Sequence, residues 1–439
     1  MEKVKTTSTK QLQGSLQNGL HGELAVPGDK SISHRGIMFG TISEGTTVLH
    51  HFLTAEDCLS TLKAFQQLGV PITRDGETVT IQGVGLHGLK QAEQPLDMGN
   101  SGTTTRLIMG LLAGQDFPSE LTGDASLSKR PMKRVSDPLA EMGANIEVTD
   151  GHLPAVINGE KLHGVDYHLK VASAQVKSAL ILAGLQADGV SILVEKQPTR
   201  NHTEKMLRAF GAEIETESDD VTITVHPQPH MHGITLNVPG DMSSAAFFMV
   251  AASLVPGSKI TLRNVGMNDT RTGLYSILKR MGGKISLSNE QTTGEPTADL
   301  TVEAAELLHP IEIGAAEIPA VIDELPLVAL LAAKAKGVSK ITGAGELRVK
   351  ETDRISAIVT EFNKMGIDIQ ELDDGFVIDG RKPWRVVDSQ LDSHGDHRIG
   401  MVMATAALLV NQPLTLTGAD SINISYPEFF DDLATLISR

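Results

Sequence analysis

The chain has 439 residues, 54 acidic and 38 basic side chains, a formal balance of −16, and 3% aromatic residues. That length exceeds one ordinary core and predicts two or three domains, while the acidic balance and scarce aromatics argue against nucleic-acid binding. No apolar run approaches the ~18 residues of a membrane span, MEKVKTTSTKQLQG has no signal-like apolar region, and the lone Cys58 excludes an intramolecular disulfide or a Cys-rich metal site. The expectation is a cytoplasmic protein with no membrane partner.

In chain order, the first distinctive stretch is PGDKSISHRG, residues 27–36. It crowds Lys30, Ser31, His34 and Arg35 before an apolar run, as a solvated helix cap or an anion site would. It is not a phosphate-binding P-loop, because Asp29 stands where that pattern needs Gly. Beyond it an apolar, small-residue helix (GIMFG) leads to a strand, then to an amphipathic helix (CLSTLKAFQQLG) and a short alternating strand.

This order then recurs. Hydrophobe-Gly pairs followed by short strands fall at Gly69, Gly143, Gly211, Gly282 and Gly366, spaced 74, 68, 71 and 84 apart. Interleaved with them are six apolar helices, in GIMFGTISEG, RLIMGLLAG, ALILAGLQADG, AAFFMVAASL, LVALLAAKAKG and MVMATAALLV. The chain therefore reads as an α/β protein of six copies of a unit of about 70 residues. The sixth copy ends at YPEFFDDLATLISR without its strands, and QGSLQNGLHGELAVPG near the N-terminus is expected to supply them, placing both termini in one domain.

Each apolar helix is preceded by a polar start: GDKSISHR, GNSGTTTR, ASAQVKS, PGDMSS, VIDEL and HGDHR. Helix N-termini present free N–H groups and partial positive charge, so several together suit an anion. Further basic residues stand in SKRPMKR (Lys129, Arg130, Lys133, Arg134), TRNH (Arg200) and ELRVKETDRI (Arg348, Lys350, Arg354). Arginine forks and lysine point charges suit carboxylate and phosphate. The alternative for VKETDRI is simple ion pairing along an exposed helix.

In order, PGDKSISHR, GNSGTTTRL, LTGDASLSKRPM, SAQVKSALILAG, RVKETDR, GDHRIGM and SYPEFFDDL resemble the 5-enolpyruvylshikimate-3-phosphate synthase family, nearer its second class than its first. The likeness spans essentially the whole chain. It implies two similar domains, each of three βαβαββ repeats (a six-fold inverse α/β barrel-like enolpyruvyl transferase fold), with helix N-termini facing a cleft that closes on substrate. The domains would be residues 28–239, with most of the shikimate 3-phosphate site, and residues 1–27 plus 240–439, with Asp323, Glu351, Arg354 and Arg398.

The implied reaction moves the enolpyruvyl group of phosphoenolpyruvate to the 5-hydroxyl of shikimate 3-phosphate, releasing phosphate through a tetrahedral intermediate. By motif, shikimate 3-phosphate falls to Lys30, Ser31, Arg35, Ser173, Ala174, Gln175, Arg200, Asp323 and Lys350. Phosphoenolpyruvate falls to Lys30, Asn100, Gly102, Arg130, Gln175, Arg354 and Arg398. Asp323, Glu351 and Lys30 would carry the proton transfers, with Glu324 an alternative to Asp323 because VIDEL departs from the family's usual form. Ile424 stands where first-class members carry a lysine that contacts phosphoenolpyruvate. Gly102 occupies the position at which a larger residue excludes the inhibitor glyphosate.

No cofactor or metal is implied, and the expected state is a monomer. His394 and His397 of HGDHR could pass for a ligand pair, but they fall in the arginine-bearing motif. Two other readings compete: a UDP-N-acetylglucosamine enolpyruvyl transferase, whose characteristic cysteine is missing from DASLSKRP, and a non-catalytic phosphometabolite-binding protein.

Overall fold

The computed structural model describes residues 8–16, 18–292 and 294–437. Two compact units divide them: Gly28–Val238, and the residues up to Pro27 together with those from Pro239 onward. Each unit has its own hydrophobic core, and the two cores share no residue.

The Gly28–Val238 unit contains α1 (Lys30–Ile42), α2 (Glu56–Gln67), α3 (Gly102–Ala113), α4 (Lys133–Ala140), α5 (Ala174–Gly184) and α6 (His202–Ala209). The other contains α7 (Met242–Leu254), α8 (Gly273–Arg280), α9 (Leu325–Ala332), α10 (Arg354–Lys364), α11 (His397–Ala407) and α12 (Phe429–Ile437). Odd-numbered helices are the apolar ones. From Ile32, Val176 and Met242 onward, α1, α5 and α7 are buried almost to their ends, and α9 is buried throughout. Helices α7, α9 and α11 pack on one another, as α3 does on α1 and α5. With apolar side chains on every face, such helices are stable only inside a core.

Even-numbered helices are amphipathic and lie outside these bundles. The five glycines of the repeat follow α2, α4, α6, α8 and α10, with φ of +86°, +91°, +100°, +94° and +77°. A helix that stops by turning left-handed needs a residue without a Cβ. The repeat seen in the sequence is thus a repeated stop signal, followed each time by a β-hairpin.

The sheets explain the repeat unit. In the second copy, Leu96–Asp97 pairs parallel with Ser119–Thr122, which pairs antiparallel with His152–Asn158 and so with Asn145–Thr149. Five sheets have this four-stranded order. In the first and fourth copies, however, the parallel strand comes from a distant part of the chain. Thr235–Asn237 pairs with Glu44–His50, and His21–Leu24 with Lys259–Gly266.

This corrects the expectation for the N-terminal segment. Among the described residues only Thr9–Gln11, just before the quoted stretch, completes the sixth sheet, against Thr415–Thr417. The strand inside that stretch, His21–Leu24, instead covers the open edge of Lys259–Gly266, where unpaired N–H and C=O groups would otherwise be left. No helix among the described residues is long and apolar enough to cross a membrane.

Candidate functional site

In the Gly28–Val238 unit the polar helix starts are tied together by side chains. Asp29 caps α1, accepting from the Ile32 N–H at 2.9 Å, which leaves Lys30 and Ser31 half-exposed on the first turn. Lys30 pairs with the buried Asp57 of α2. One turn on, Arg35 is 4% exposed and donates to Thr203 Oγ1 (2.7 Å), the Ser31 carbonyl (3.0 Å) and Ser178 Oγ (3.1 Å). Between these cations, His34 is fully buried against Thr61 Oγ1 at 2.6 Å. Burial, then Lys30 and Arg35, hold its pKa well below the usual value, so it is neutral and adds no third charge.

Helix α3 opens after a turn through Gly99. Ser101 caps it, and Asn100 receives the Arg130 guanidinium on both its side-chain oxygen (2.7 Å) and its carbonyl (3.2 Å). Asn100 in turn donates to Asp124 at 2.8 Å. Ser173 caps α5, and Gln175 bridges Arg106 (2.5 Å) and Thr103 (3.0 Å). Lys30, Ser31, Arg35, Asn100, Gly102, Arg130, Ser173, Ala174, Gln175 and Arg200 therefore all lie on helix starts or adjoining loops of this unit.

The sequence did not single out Arg106. It is 7% exposed, and both it and Arg130 come within 3.2 Å of where a Cβ on Gly102 would stand. Its signal was its place in GNSGTTTR, one turn into a polar helix start.

In the other unit Asp323 lies on a 3₁₀ turn, Ile322–Glu324, leading into α9. Its carboxylate lies 3.3 Å from Arg354, 3.5 Å from Lys350 and 4.0 Å from Arg398. Arg354 is 1% exposed and also binds Glu351 (2.7 Å) and Asp396 (2.8 Å). These carboxylates raise its pKa despite its complete burial, so its charge is permanent. Glu324 meets only the Arg398 side of this cluster. It is 1% exposed, accepts from Ser243 Oγ of α7, and lies 3.4 Å from Arg398 Nη1.

Two further residues escaped sequence reasoning. Asp396 is fully buried, caps α11 through the Arg398 and Ile399 N–H groups, and clamps Arg354, so one carboxylate aligns two arginines. Ser243 belongs to PGDMSS and also receives Arg271 at 2.7 Å. Elsewhere, His394 hydrogen bonds to Glu361 at 2.8 Å, Ile424 ends a 3₁₀ turn half-buried, and Cys58 is buried on α2.

The chemistry of each cluster follows from its charges. One offers three buried arginines, Arg35, Arg106 and Arg130, with a lysine, serine hydroxyls and amide groups, which suit phosphate and carboxylate oxygens. The other holds two partly exposed carboxylates, Asp323 and Glu351, among cations, which suits proton transfer beside an anion.

Comparison with known proteins gives a consistent result. Residues 15–433 match the family model described as EPSP synthase (3-phosphoshikimate 1-carboxyvinyltransferase). A 3-phosphoshikimate 1-carboxyvinyltransferase of Lactiplantibacillus plantarum is 60% identical over 97% of this chain and 99% of its own. That of Oenococcus oeni is 52% identical over 99% of each. Among solved structures, an EPSP synthase from Acinetobacter baumannii superposes with a TM-score of 0.85 at 44% identity over 98% of both chains. The enolpyruvyl transferase NikO from Streptomyces tendae, at 18% identity, TM-score 0.80 and 98% coverage of both chains, shares the fold.

Proposed function

The chain belongs to the EPSP synthase family, and from that premise we propose that it transfers the enolpyruvyl group of phosphoenolpyruvate to the 5-hydroxyl of shikimate 3-phosphate, releasing phosphate. In the addition step the hydroxyl oxygen bonds to C2 of phosphoenolpyruvate, its proton leaves to a base, and C3 gains a proton to become a methyl group. In the elimination step the C2–O bond to phosphate breaks and C3 returns a proton, which restores the double bond in the product.

Lys30, Ser31, Arg35, Ser173, Ala174, Gln175, Arg200, Asp323 and Lys350 are assigned to shikimate 3-phosphate. Lys30, Asn100, Gly102, Arg130, Gln175, Arg354 and Arg398 are assigned to phosphoenolpyruvate. Clamping two anionic reactants in reacting geometry can contribute ~7–11 kcal/mol towards lowering the barrier.

Asp323 takes the hydroxyl proton and Glu351 delivers one to C3, with Lys30 assisting. The observation that carries this division is the placement of Asp323, 12% exposed and facing three cations, while its neighbour Glu324 is committed to Ser243. Glu324 is 1% exposed and takes both Ser243 and Arg398 on Oε1, so it is far less open to a substrate hydroxyl than Asp323.

The test is phosphate release from phosphoenolpyruvate, with shikimate 3-phosphate or UDP-N-acetylglucosamine as acceptor. Release with shikimate 3-phosphate alone, reduced 10²–10⁴-fold in Asp323→Ala, is expected for loss of a general base. Release with the sugar nucleotide, or with neither acceptor, overturns the proposal. A Glu324→Gln loss matching that of Asp323→Ala would overturn the choice of base.

A further inference from the structure

Helix α5 carries a lysine that the reaction does not use. Lys177 lies one position before Ser178, and its side chain is fully buried. It meets two carboxylates that are each 2% exposed, Glu195 at 2.9 Å and Glu204 at 2.7 Å. Glu195 stands just after the strand Ser191–Val194, and Glu204 on the first turn of α6. The lysine thus holds both ends of the segment 195–204, which contains Arg200.

Two more contacts connect the cluster to the proposed site. Glu195 accepts from Thr199, by its hydroxyl and, at 3.5 Å, by its N–H, and Thr199 directly precedes Arg200. At the α6 end, Thr203, next to Glu204, accepts from Arg35 and shares a 2.6 Å hydrogen bond with Ser178, next to Lys177. Adjacent residues on α5 and on α6 are therefore linked twice, once by charge and once by hydroxyls, and the hydroxyl link orients Arg35.

A buried ion cluster adds little net stability over apolar side chains of the same size, although removing one member is costly. Here one cation faces two carboxylates, the second Glu204 oxygen is buried without a hydrogen-bond partner among the described residues, and burial raises the Glu195 pKa. Such an arrangement is a costly way to fill a core but a specific way to fix a loop.

We infer that Lys177, Glu195 and Glu204 are positioning residues that set the segment 195–204 and, through Thr199 and Thr203, align Arg200 and Arg35 for the anionic acceptor. The identity of that acceptor rests on the function proposed above; the ordering of the segment does not.

The experiment compares full-length wild type with Thr199→Val, which removes the anchor and keeps the ion cluster, and with Glu195→Gln, which keeps an acceptor oxygen for Lys177 but removes one of the two negative charges that hold it. Amide hydrogen exchange over residues 196–203 reads the segment, and calorimetric titration with shikimate 3-phosphate reads the ligand. Faster exchange confined to that segment, with Kd and KM for shikimate 3-phosphate raised about tenfold and kcat little changed, is expected from losing a hydrogen bond to a charged group. Unchanged exchange in both variants would overturn the positioning role. Faster exchange with unchanged affinity would overturn the link to the ligand. A wild type that binds no shikimate 3-phosphate would instead sink the functional reading, while the exchange comparison would still decide whether the cluster orders the segment.

Discussion

At Gly102 a single missing methyl group sets the local geometry. A Cβ there would stand 3.1 Å from Arg130 Nη1 and 3.2 Å from Arg106 Nη1, so Gly102→Ala must displace the ends of two guanidinium groups by a few tenths of an ångström. Both are flexible ends, so the variant should fold, with its effect falling on whatever anion they hold. Gly102→Ala is expected to raise the glyphosate inhibition constant and the KM for phosphoenolpyruvate, the former by about tenfold or about 1.4 kcal/mol. Inhibition constants equal for the two forms would refute this. Gly102 could be marked in the sequence because its motif is local. Arg106 and Asp396 could not be read in the same way, because each acts through a partner far along the chain: Arg106 through Gln175, 69 residues away, and Asp396 through Arg354, 42 away.

Elements were legible wherever a rule repeats. Six polar helix starts and five left-handed glycines mark where helices begin and end, and each is a local consequence of capping chemistry. The loop before α11 shows the limit of that reading, since its histidines gave no sign of their use. His394 in fact joins this loop to α10, contacting Glu361, with Asp392 and Lys364 nearby. The hydrogen bond that the His394 ring donates to the Glu361 carboxylate raises the His394 pKa above its usual value of about 6.5. A raised folded-state pKa means the link is fully present below pH 6.5 and is lost as pH climbs through the higher folded value. His394→Gln should therefore flatten the decline of Tm above pH 6.5, by no more than about 1 kcal/mol for a partly exposed pair. Thermal melts from pH 5.5 to 9 that decline in parallel for both proteins would contradict it.

At the scale of the molecule, periodicity showed how many copies there are but not which strand closes which sheet. Thr235–Asn237 and His21–Leu24 are three and four residues long, too short to carry a pattern that names a partner. Their pairing has a consequence for autonomy. Residues 28–238 contain every strand of their three sheets and a complete core. Produced alone, this segment should unfold in one cooperative transition. Ending it at residue 232 removes the parallel partner of Glu44–His50 and exposes a sheet edge; a loss of 1–2 kcal/mol would lower Tm by about 2–8 °C. The other unit is not contiguous. Its Lys259–Gly266 and Thr415–Thr417 strands both need partners from the first 27 residues, so residues 239–439 should fold incompletely until a peptide of residues 1–27 is supplied in trans. Circular dichroism melts of the fragments decide the matter. Non-cooperative melting of 28–238, equal stability of 28–232, or a 239–439 fragment indifferent to the peptide would each show that the crossing strands are not what completes these sheets.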